Sequence, residues 1–336
     1  MKRSLWPAGL ACLVALGTLA CSSAASPAPA VSLKVQLSWA PSAQFTGMIV
    51  ADAKGFYEEE GLDVELLPGG PNVVPLQVVA NGGADVGLTS VLELLAARDK
   101  DLPLQAVAQL DQLSALVLVT RQDSGLDEAA DLDGKRIGLW LGGDEYEFYA
   151  MARQLGNDPE GDYQIVNQSF TMDQFINGEL DATSAMSFDQ LLVLTSQPGF
   201  SRDELNIIDY NDFGTVNPRG VVVATEAVVA EKADALARFL RATVRGWEFT
   251  FDNQTQALDE LMKVVPAGDY TRDHQEASIN EMQRLMLPDG FAAGDLGRID
   301  QETFTRAGEV ALEYDVIAAP PDDAVYVTSV YDASKS

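Results

Sequence analysis

The chain contains almost no cysteine and almost no histidine. Among its 336 residues are two cysteines, Cys12 and Cys21, and one histidine, His274. Both cysteines lie near the amino terminus, so the body of the chain has no disulfide and no cysteine-based metal site. A single histidine in a polar helical context is more often solvated than catalytic, and it cannot supply a His-rich metal site. We therefore expect no bound metal, no cofactor and no catalytic residue.

Positive charge is also scarce. The 22 lysines and arginines face 51 aspartates and glutamates, which gives a formal net charge of −29. Such a surface repels nucleic acid and anionic lipid headgroups, so we expect no nucleic-acid partner. The acidity is compatible either with solubility in high salt or with a cationic partner. A hydrophobic content of 47% over this length is enough for two globular domains.

The amino terminus has the pattern of an export signal. Lys2 and Arg3 precede a short apolar stretch, and Thr-Leu-Ala-Cys at 18–21 resembles a bacterial lipobox, with Thr18 where leucine is usual. We expect residues 1–21 to be a signal peptide and Cys21 to be lipidated, which makes the protein extracytoplasmic and membrane-anchored. Cleavage by a plain signal peptidase near Ala24 is the alternative. Residues 22–31, rich in Pro, Ala and Ser, are typical of a flexible tether.

The body alternates between strand-like and helix-like segments, which predicts an α/β fold with mainly parallel sheets. Strands are predicted at 35–37, 64–67, 85–88, 104–109, 137–140, 164–166 and 182–186. Asn81-Gly-Gly-Ala-Asp85 is echoed by Asn177-Gly-Glu-Leu-Asp181, which indicates two similar lobes. The β-branched runs 113–120 and 220–224 are interpreted as strands that cross between the lobes as a two-strand hinge, with a ligand cleft between. The expected limits are 32–120 plus 216–336 for lobe 1 and 121–215 for lobe 2.

Candidate ligand groups in the first lobe follow predicted strands, where open α/β sheets bind ligands. Trp39 comes after the first strand and could stack on a flat ring, or merely pack the lobe edge. Gly70 permits close backbone approach, and Thr89 and Ser90 could contact a ligand or only cap a helix. The full set is Trp39, Gln44, Phe45, Gly70, Thr89, Ser90 and Asp111.

The second lobe repeats the arrangement with Trp140 and a Gly-Gly turn before a helix. Free amides at a helix start favour an anion, but Asp144 and Glu145 occupy this start and would repel one. A neutral or cationic polar ligand is therefore expected. The full set is Trp140, Gly142, Asp144, Glu145, Ser187, Phe188, Tyr210 and Asn211.

Several segments together resemble a known family. They include LKVQLSWAPSAQFTGMIVADAKGFYEEEGLDV (33–64), PGGPNVVPLQVVANGGADVG, DLDGKRIGLWLGG, TMDQFINGELDATSAMSFDQ and IDYNDFGT. They look like the NMT1/THI5-like (SsuA/THI5-like) substrate-binding proteins of ABC importers, in the branch with riboflavin-binding and thiamine-pyrimidine-precursor-binding members. The resemblance implies a type II periplasmic binding protein fold, a small flat heteroaromatic ligand, and an ABC permease with its ATPase as partners. We expect a monomer.

The chain departs from that family at identifiable places. Phe45 stands near the position where pyrimidine-precursor-binding members have histidine, and Phe188-Asp189-Gln190 replaces their Tyr-Asn-Glu. The histidine and the cysteine-rich iron motif of the eukaryotic pyrimidine synthases are both missing. We therefore predict a non-enzymatic receptor for riboflavin or a pyrimidine precursor of thiamine. A synthase-type enzyme, a nitrate- or alkanesulfonate-binding protein and a sensor that does not transport are the alternatives.

Overall fold

The computed structural model describes residues 29–215, 217–268 and 270–336. The predicted signal peptide, Cys21 and the first part of the tether lie outside the described residues. The strands are β1 Val31–Gln36, β2 Leu62–Leu67, β3 Val86–Thr89, β4 Leu104–Gln109, β5 Leu116–Arg121, β6 Arg136–Leu139, β7 Gln164–Asn167, β8 Ala182–Met186, β9 Leu205–Asp209 and β10 Val221–Thr225.

Twelve α-helices lie in the described part of the chain. They are α1 Thr46–Ala53, α2 Phe56–Glu59, α3 Pro75–Ala80, α4 Val91–Arg98, α5 Glu145–Gln154, α6 Asp173–Ile176, α7 Gln190–Thr195, α8 Glu226–Asp252, α9 Gln254–Leu261, α10 Arg272–Met286, α11 Gln301–Glu313 and α12 Ser329–Ser334. Among these ranges, none combines the length and the apolar character that a membrane crossing requires.

The strands form two five-stranded sheets with the same order of connections. The first sheet runs β2-β1-β3-β10-β4 and the second runs β7-β6-β8-β5-β9. In each sheet the first three strands are parallel, while the fourth strand, β10 or β5, is antiparallel to both of its neighbours. That fourth strand is in each case the one that follows a crossing between the sheets. The predicted α/β class with two lobes is thereby confirmed.

The crossings lie before the segments that the sequence predicts. The runs 113–120 and 220–224 supply β5 and β10, and both strands lie inside sheets because they are apolar and β-branched enough to be buried on two faces. The chain passes between the lobes in residues 110–115 and, among the described residues, in 210–215 and 217–220. Residues 116–120, which the sequence-based limits gave to lobe 1, therefore pair within the second sheet, and we propose the two crossings as the lobe limits.

Apolar clusters cover both faces of each sheet. In the first sheet, one cluster lies under α1, α8 and α10, and the other lies under α4 and α11. In the second sheet, one cluster contains α5 and the other α6 and α7. Each sheet is thus a three-layer unit whose loops at the carboxyl ends of the parallel strands are left free to face the other lobe.

Close packing of α1 against α8 depends on two glycines. A methyl group on Gly246 would overlap the carbonyl oxygen of Gly47, and one on Gly47 would overlap the indole of the fully buried Trp247. We expect Gly246→Ala to lower the free energy of unfolding by roughly 2 kcal/mol or more, because the overlapped atom belongs to the backbone. Urea unfolding measures this, with Gly294→Ala as the control because a methyl group there has no neighbour within 4 Å. Equal stability of the two variants would contradict the packing argument.

Candidate ligand-binding cleft

A cavity of about 280 Å³ lies between the two sheets and is lined by residues of both lobes. Its walls combine aromatic, aliphatic and charged side chains. The lining residues are Ser38, Trp39, Gln44, Gly70, Pro71, Val73, Pro75, Leu88, Thr89, Glu93, Trp140, Asp144, Phe170, Met186, Phe188, Asp189, Gln190 and Arg219. The volume is close to the lower end of ordinary small-molecule sites, which span ~300–1,000 Å³.

The two tryptophans of the cleft occupy equivalent places in the two lobes. Trp39 follows β1 and Trp140 follows β6, and each of these strands lies between two parallel neighbours. The turn that carries Trp39 is held by its own carbonyl, which accepts a 2.9 Å hydrogen bond from the amide of Gly69. Gly69 has to be glycine, because any side chain there would overlap the backbone between Leu37 and Trp39. Two strand ends thus bring two indoles to one cavity.

A third aromatic ring, which the sequence analysis missed, joins the indoles. The ring centroid of Phe170 lies 5.6 Å from Trp39 and 6.2 Å from Trp140, and the second pair is stacked with an angle of 25° between the planes. The side chain of Phe170 is 60% exposed. Trp140 is oriented by a 3.1 Å hydrogen bond from its indole nitrogen to the carbonyl of Ser169. The cleft therefore has an aromatic mouth with contributions from both lobes.

Each charged group of the cleft is hydrogen-bonded to a neighbouring residue. The carboxylate of Glu93 accepts hydrogen bonds from the hydroxyl of Thr89 at 2.8 Å and from the amide of Ser90 at 3.0 Å. Arg219, on the second crossing, donates to Asp144 of the other lobe. Burial lowers the pKa of Arg219, while Glu93 and Asp111 act in the opposite direction. A guanidinium stays protonated in proteins, so this group remains a cation committed to Asp144.

The turn after β8 is held to α10 of the first lobe. The carbonyl of Phe188 accepts a 2.5 Å hydrogen bond from Ser278, and a carboxylate oxygen of Asp189 accepts one from the hydroxyl of Tyr270 at 3.3 Å. His274 Nε2 lies 3.4 Å from a carboxylate oxygen of Asp189. The single histidine, expected to be solvated, is instead only 12% exposed and lies in the contact between the lobes.

Seven of the fifteen predicted binding residues line this cleft. They are Trp39, Gln44, Gly70, Thr89, Trp140, Asp144 and Phe188. Their ligand contacts stay a prediction, since the geometry places them together but does not show a ligand. The signal that found them was position, because most follow a strand at its carboxyl end.

Four further predicted residues lie outside the cleft lining because they belong to helix starts or cores. Ser90 caps α4 with its hydroxyl. Phe45 is 3% exposed and packs in the core under α1. Glu145 accepts hydrogen bonds from the amides of Gly142 at 3.0 Å and Gly143 at 2.6 Å, so its own carboxylate fills the Gly-Gly turn. The amides of this turn are thus already occupied by a carboxylate of the same chain.

The remaining four lie in the second lobe's interior or at the crossings. Tyr210 is fully buried in a core, and Ser187, which directly follows β8, lines a different cavity beside Val117 and Ile207. Asn211 binds the backbone of the first crossing: its side chain accepts from the amide of Ser114 and donates to the same residue's carbonyl, each at 2.9 Å. Asp111 is 4% exposed beside Gly220 of the second crossing. Asn211 and Asp111 thus connect the two crossings rather than face the cleft.

Two α/β lobes with a cleft at their facing strand ends define the periplasmic-binding-protein class of fold. The fold superposes on the periplasmic aliphatic sulphonate binding protein SsuA of Escherichia coli with a TM-score of 0.68, at 16% identity over 87% of this chain and 90% of that one. The family model described as NMT1/THI5 like matches residues 42–257. The chain belongs to the NMT1/THI5-like family.

Relatives within this similarity include binding proteins and enzymes. The chain is 29% identical to a formylaminopyrimidine-binding protein of Halalkalibacterium halodurans, over 69% of this chain and 70% of that protein. It is 27% identical to the riboflavin-binding protein RibY of Chloroflexus aurantiacus, over 91% of this chain and 88% of that protein. It is 23% identical to a 4-amino-5-hydroxymethyl-2-methylpyrimidine phosphate synthase of Saccharomyces cerevisiae, over 68% of this chain and 70% of that protein.

Proposed function

We propose that this protein is the extracytoplasmic substrate-binding component of an ABC importer and that it captures a small flat heteroaromatic, such as riboflavin or a pyrimidine precursor of thiamine. The observation that carries the proposal is the meeting of Trp39, Trp140 and Phe170 at one cleft between two lobes. Indole faces favour planar rings, and closure of the lobes would surround such a ring on both sides. The ligands named for two of the relatives are heteroaromatic compounds of this kind.

The charges of the cleft argue for this ligand class over nitrate or an alkanesulfonate. Three carboxylates line the cavity (Glu93, Asp144 and Asp189), and the one guanidinium, Arg219, is paired with Asp144. The amides before α5 are filled by Glu145. An anion would enter a net negative cavity without a free cation or a free helix start, which is unfavourable.

A binding role is proposed over a synthase role. The two relatives named as binding proteins are more similar to this chain than the yeast synthase, and RibY is matched over nearly its full length. His274, a residue type that a synthase could use, is engaged between Tyr270 and Asp189 rather than presented to the cavity. We propose that the ligand is released chemically unchanged to a permease and its ATPase. The protein would act as a monomer, anchored through Cys21 on the outer side of the cytoplasmic membrane.

Isothermal titration calorimetry tests this proposal directly. We expect riboflavin or an aminopyrimidine to bind with a dissociation constant in the micromolar range or below, and nitrate and hexanesulfonate to give no heat of binding under the same conditions. Leu141→Ala, which removes an exposed apolar side chain outside the cleft lining, is the control and should bind as the wild type does. Tight binding of hexanesulfonate with no binding of either heterocycle would refute the heteroaromatic proposal.

A further inference from the structure

Within the proposed cleft, we infer that the Glu93 carboxylate recognises N–H donors of the ligand, so that the preferred ligand is a single-ring heteroaromatic with an amino group next to a ring nitrogen that can carry a proton. This inference rests on the proposed function and narrows its ligand class. The sequence analysis did not single out Glu93, because a glutamate three residues after Ser90 is fully explained as part of a helix capping box.

The two carboxylate oxygens of Glu93 differ in their surroundings. Oε2 accepts three hydrogen bonds, from the Thr89 hydroxyl at 2.8 Å, the Ser90 amide at 3.0 Å and the Ser90 hydroxyl at 3.1 Å. Oε1 accepts none from the described residues. Glu93 lines the cavity, and part of the residue is accessible from the cleft. The hydrogen bonds to Oε2 thus fix the carboxylate in place, and Oε1 can accept a hydrogen bond from a ligand in the cleft.

Glu93 is also held in its ionised form. Burial acts to raise its pKa, but the charge of Arg219 and the hydrogen bonds from Ser90 and Thr89 outweigh burial and keep the pKa below its ordinary value of 4.5. A charged acceptor makes a stronger hydrogen bond than a neutral one, and most of all with a cationic donor. Because Arg219 donates to Asp144, no ion pair with a side chain competes for Oε1 among the described residues.

The geometry discriminates between the two heteroaromatic classes. An aminopyrimidine presents an amino group beside a ring nitrogen, which can be protonated, so two adjacent donors face a carboxylate and the neighbouring hydroxyl of Thr89. The dioxopyrimidine edge of a flavin presents one N–H between two carbonyl oxygens, and those oxygens would face the carboxylate with like charge.

Glutamine at position 93 is the sharpest test, because a glutamine at this place of a capping box preserves the helix start while it removes the charge. We expect Glu93→Gln to weaken binding of 4-amino-2-methylpyrimidine about tenfold or more. Riboflavin affinity should not fall, and should rise if the flavin carbonyl oxygens face position 93, because the variant removes the charge that repels them. Titrations in two buffers of different ionisation enthalpy should show proton uptake on aminopyrimidine binding by the wild type, and its loss in the variant. Glu231→Gln, on an exposed part of α8, should match the wild type in both measurements.

The outcomes separate this inference from the proposed function. Unchanged aminopyrimidine affinity and proton uptake in Glu93→Gln, alongside a large loss in Trp39→Ala, would overturn the role of Glu93 and leave the heteroaromatic receptor intact. A wild type that binds riboflavin more tightly than the aminopyrimidine would likewise overturn the preference. A wild type that binds neither heterocycle would overturn both.

Discussion

Replacement of Trp39 by alanine is expected to raise the dissociation constant of the heteroaromatic ligand by a factor on the order of 100. Trp39 lines the cavity from lobe 1, and its ring centroid lies 5.6 Å from that of Phe170 in lobe 2. A ring stacked on the indole would lose about 1 kcal/mol of aromatic interaction and about 2 kcal/mol of buried apolar contact, and each 1.4 kcal/mol is a tenfold change in affinity. Isothermal titration of wild type and variant with the tightest heterocycle measures the ratio.

The matched control for this prediction is Trp39→Phe. Phenylalanine keeps an aromatic face and most of the apolar contact, so its affinity should fall between those of the wild type and the alanine variant. Both variants should unfold at close to the wild-type temperature, because Trp39 is partly exposed at the cleft rather than part of the deep core. An alanine variant that binds the ring as tightly as the wild type would show that the indole does not stack on the ligand.

Replacement of Asp111 by asparagine is expected to stabilise the protein at neutral and alkaline pH. Asp111 is almost fully buried at the first crossing, and one carboxylate oxygen has no hydrogen-bond partner among the described residues. Burial raises the pKa of Asp111 from 3.8 to about 7, although the amide of Gly220 and the charge of Arg219 act against it. Ionisation of this group is therefore unfavourable in the folded protein.

The sign of the pH dependence follows from this shift. With a folded-state pKa above the unfolded one, the folded protein binds the proton more tightly, so the contribution of Asp111 to stability is full below about pH 4 and is lost as pH rises towards 7. Asparagine does not titrate. The free energy of unfolding of the variant minus that of the wild type should thus increase by roughly 2 kcal/mol or more from pH 4 to pH 8.

Urea unfolding at pH 4, 6 and 8 measures this difference between the two proteins. Glu147, whose pKa burial also raises well above its ordinary value, titrates in both proteins and cancels in the comparison. Asp323→Asn, an exposed position, is the control and should differ from the wild type by the same amount at every pH. A difference between Asp111→Asn and the wild type that stays constant from pH 4 to pH 8 would contradict the account of the crossing.

Much of the fold follows from local patterns that the sequence displays. The strands at 104–109 and 182–186 were predicted with the observed limits, because short apolar runs bounded by polar or turn residues leave little choice. β9 was missed, since Leu-Asn-Ile-Ile-Asp is short and lies at the edge of its sheet, where only pairing with β5 identifies it. The runs that supply β5 and β10 were recognised as strands, but their place inside sheets depends on long-range pairing.

The residues of the binding cleft, like the strands, were predicted only where a local pattern identifies them. Trp39 and Trp140 were found because the end of a strand is visible in the sequence. Arg219, Phe170 and Glu93 were missed because each lies in a segment with an adequate local explanation, namely a Pro-containing crossing, a polar loop and a helix cap. Conversely, Tyr210 and Phe45 have the chemistry of ligand-binding groups, but three-dimensional packing buries them.

A crystal structure of the protein with its tightest heteroaromatic ligand is the most direct measurement of the central claim. We predict a planar ring held between the two lobes, in van der Waals contact with the indole of Trp39 on one side and with Trp140 or Phe188 on the other. A ligand bound outside this cavity, or bound within it without contact to either indole, would contradict the proposed mode of recognition.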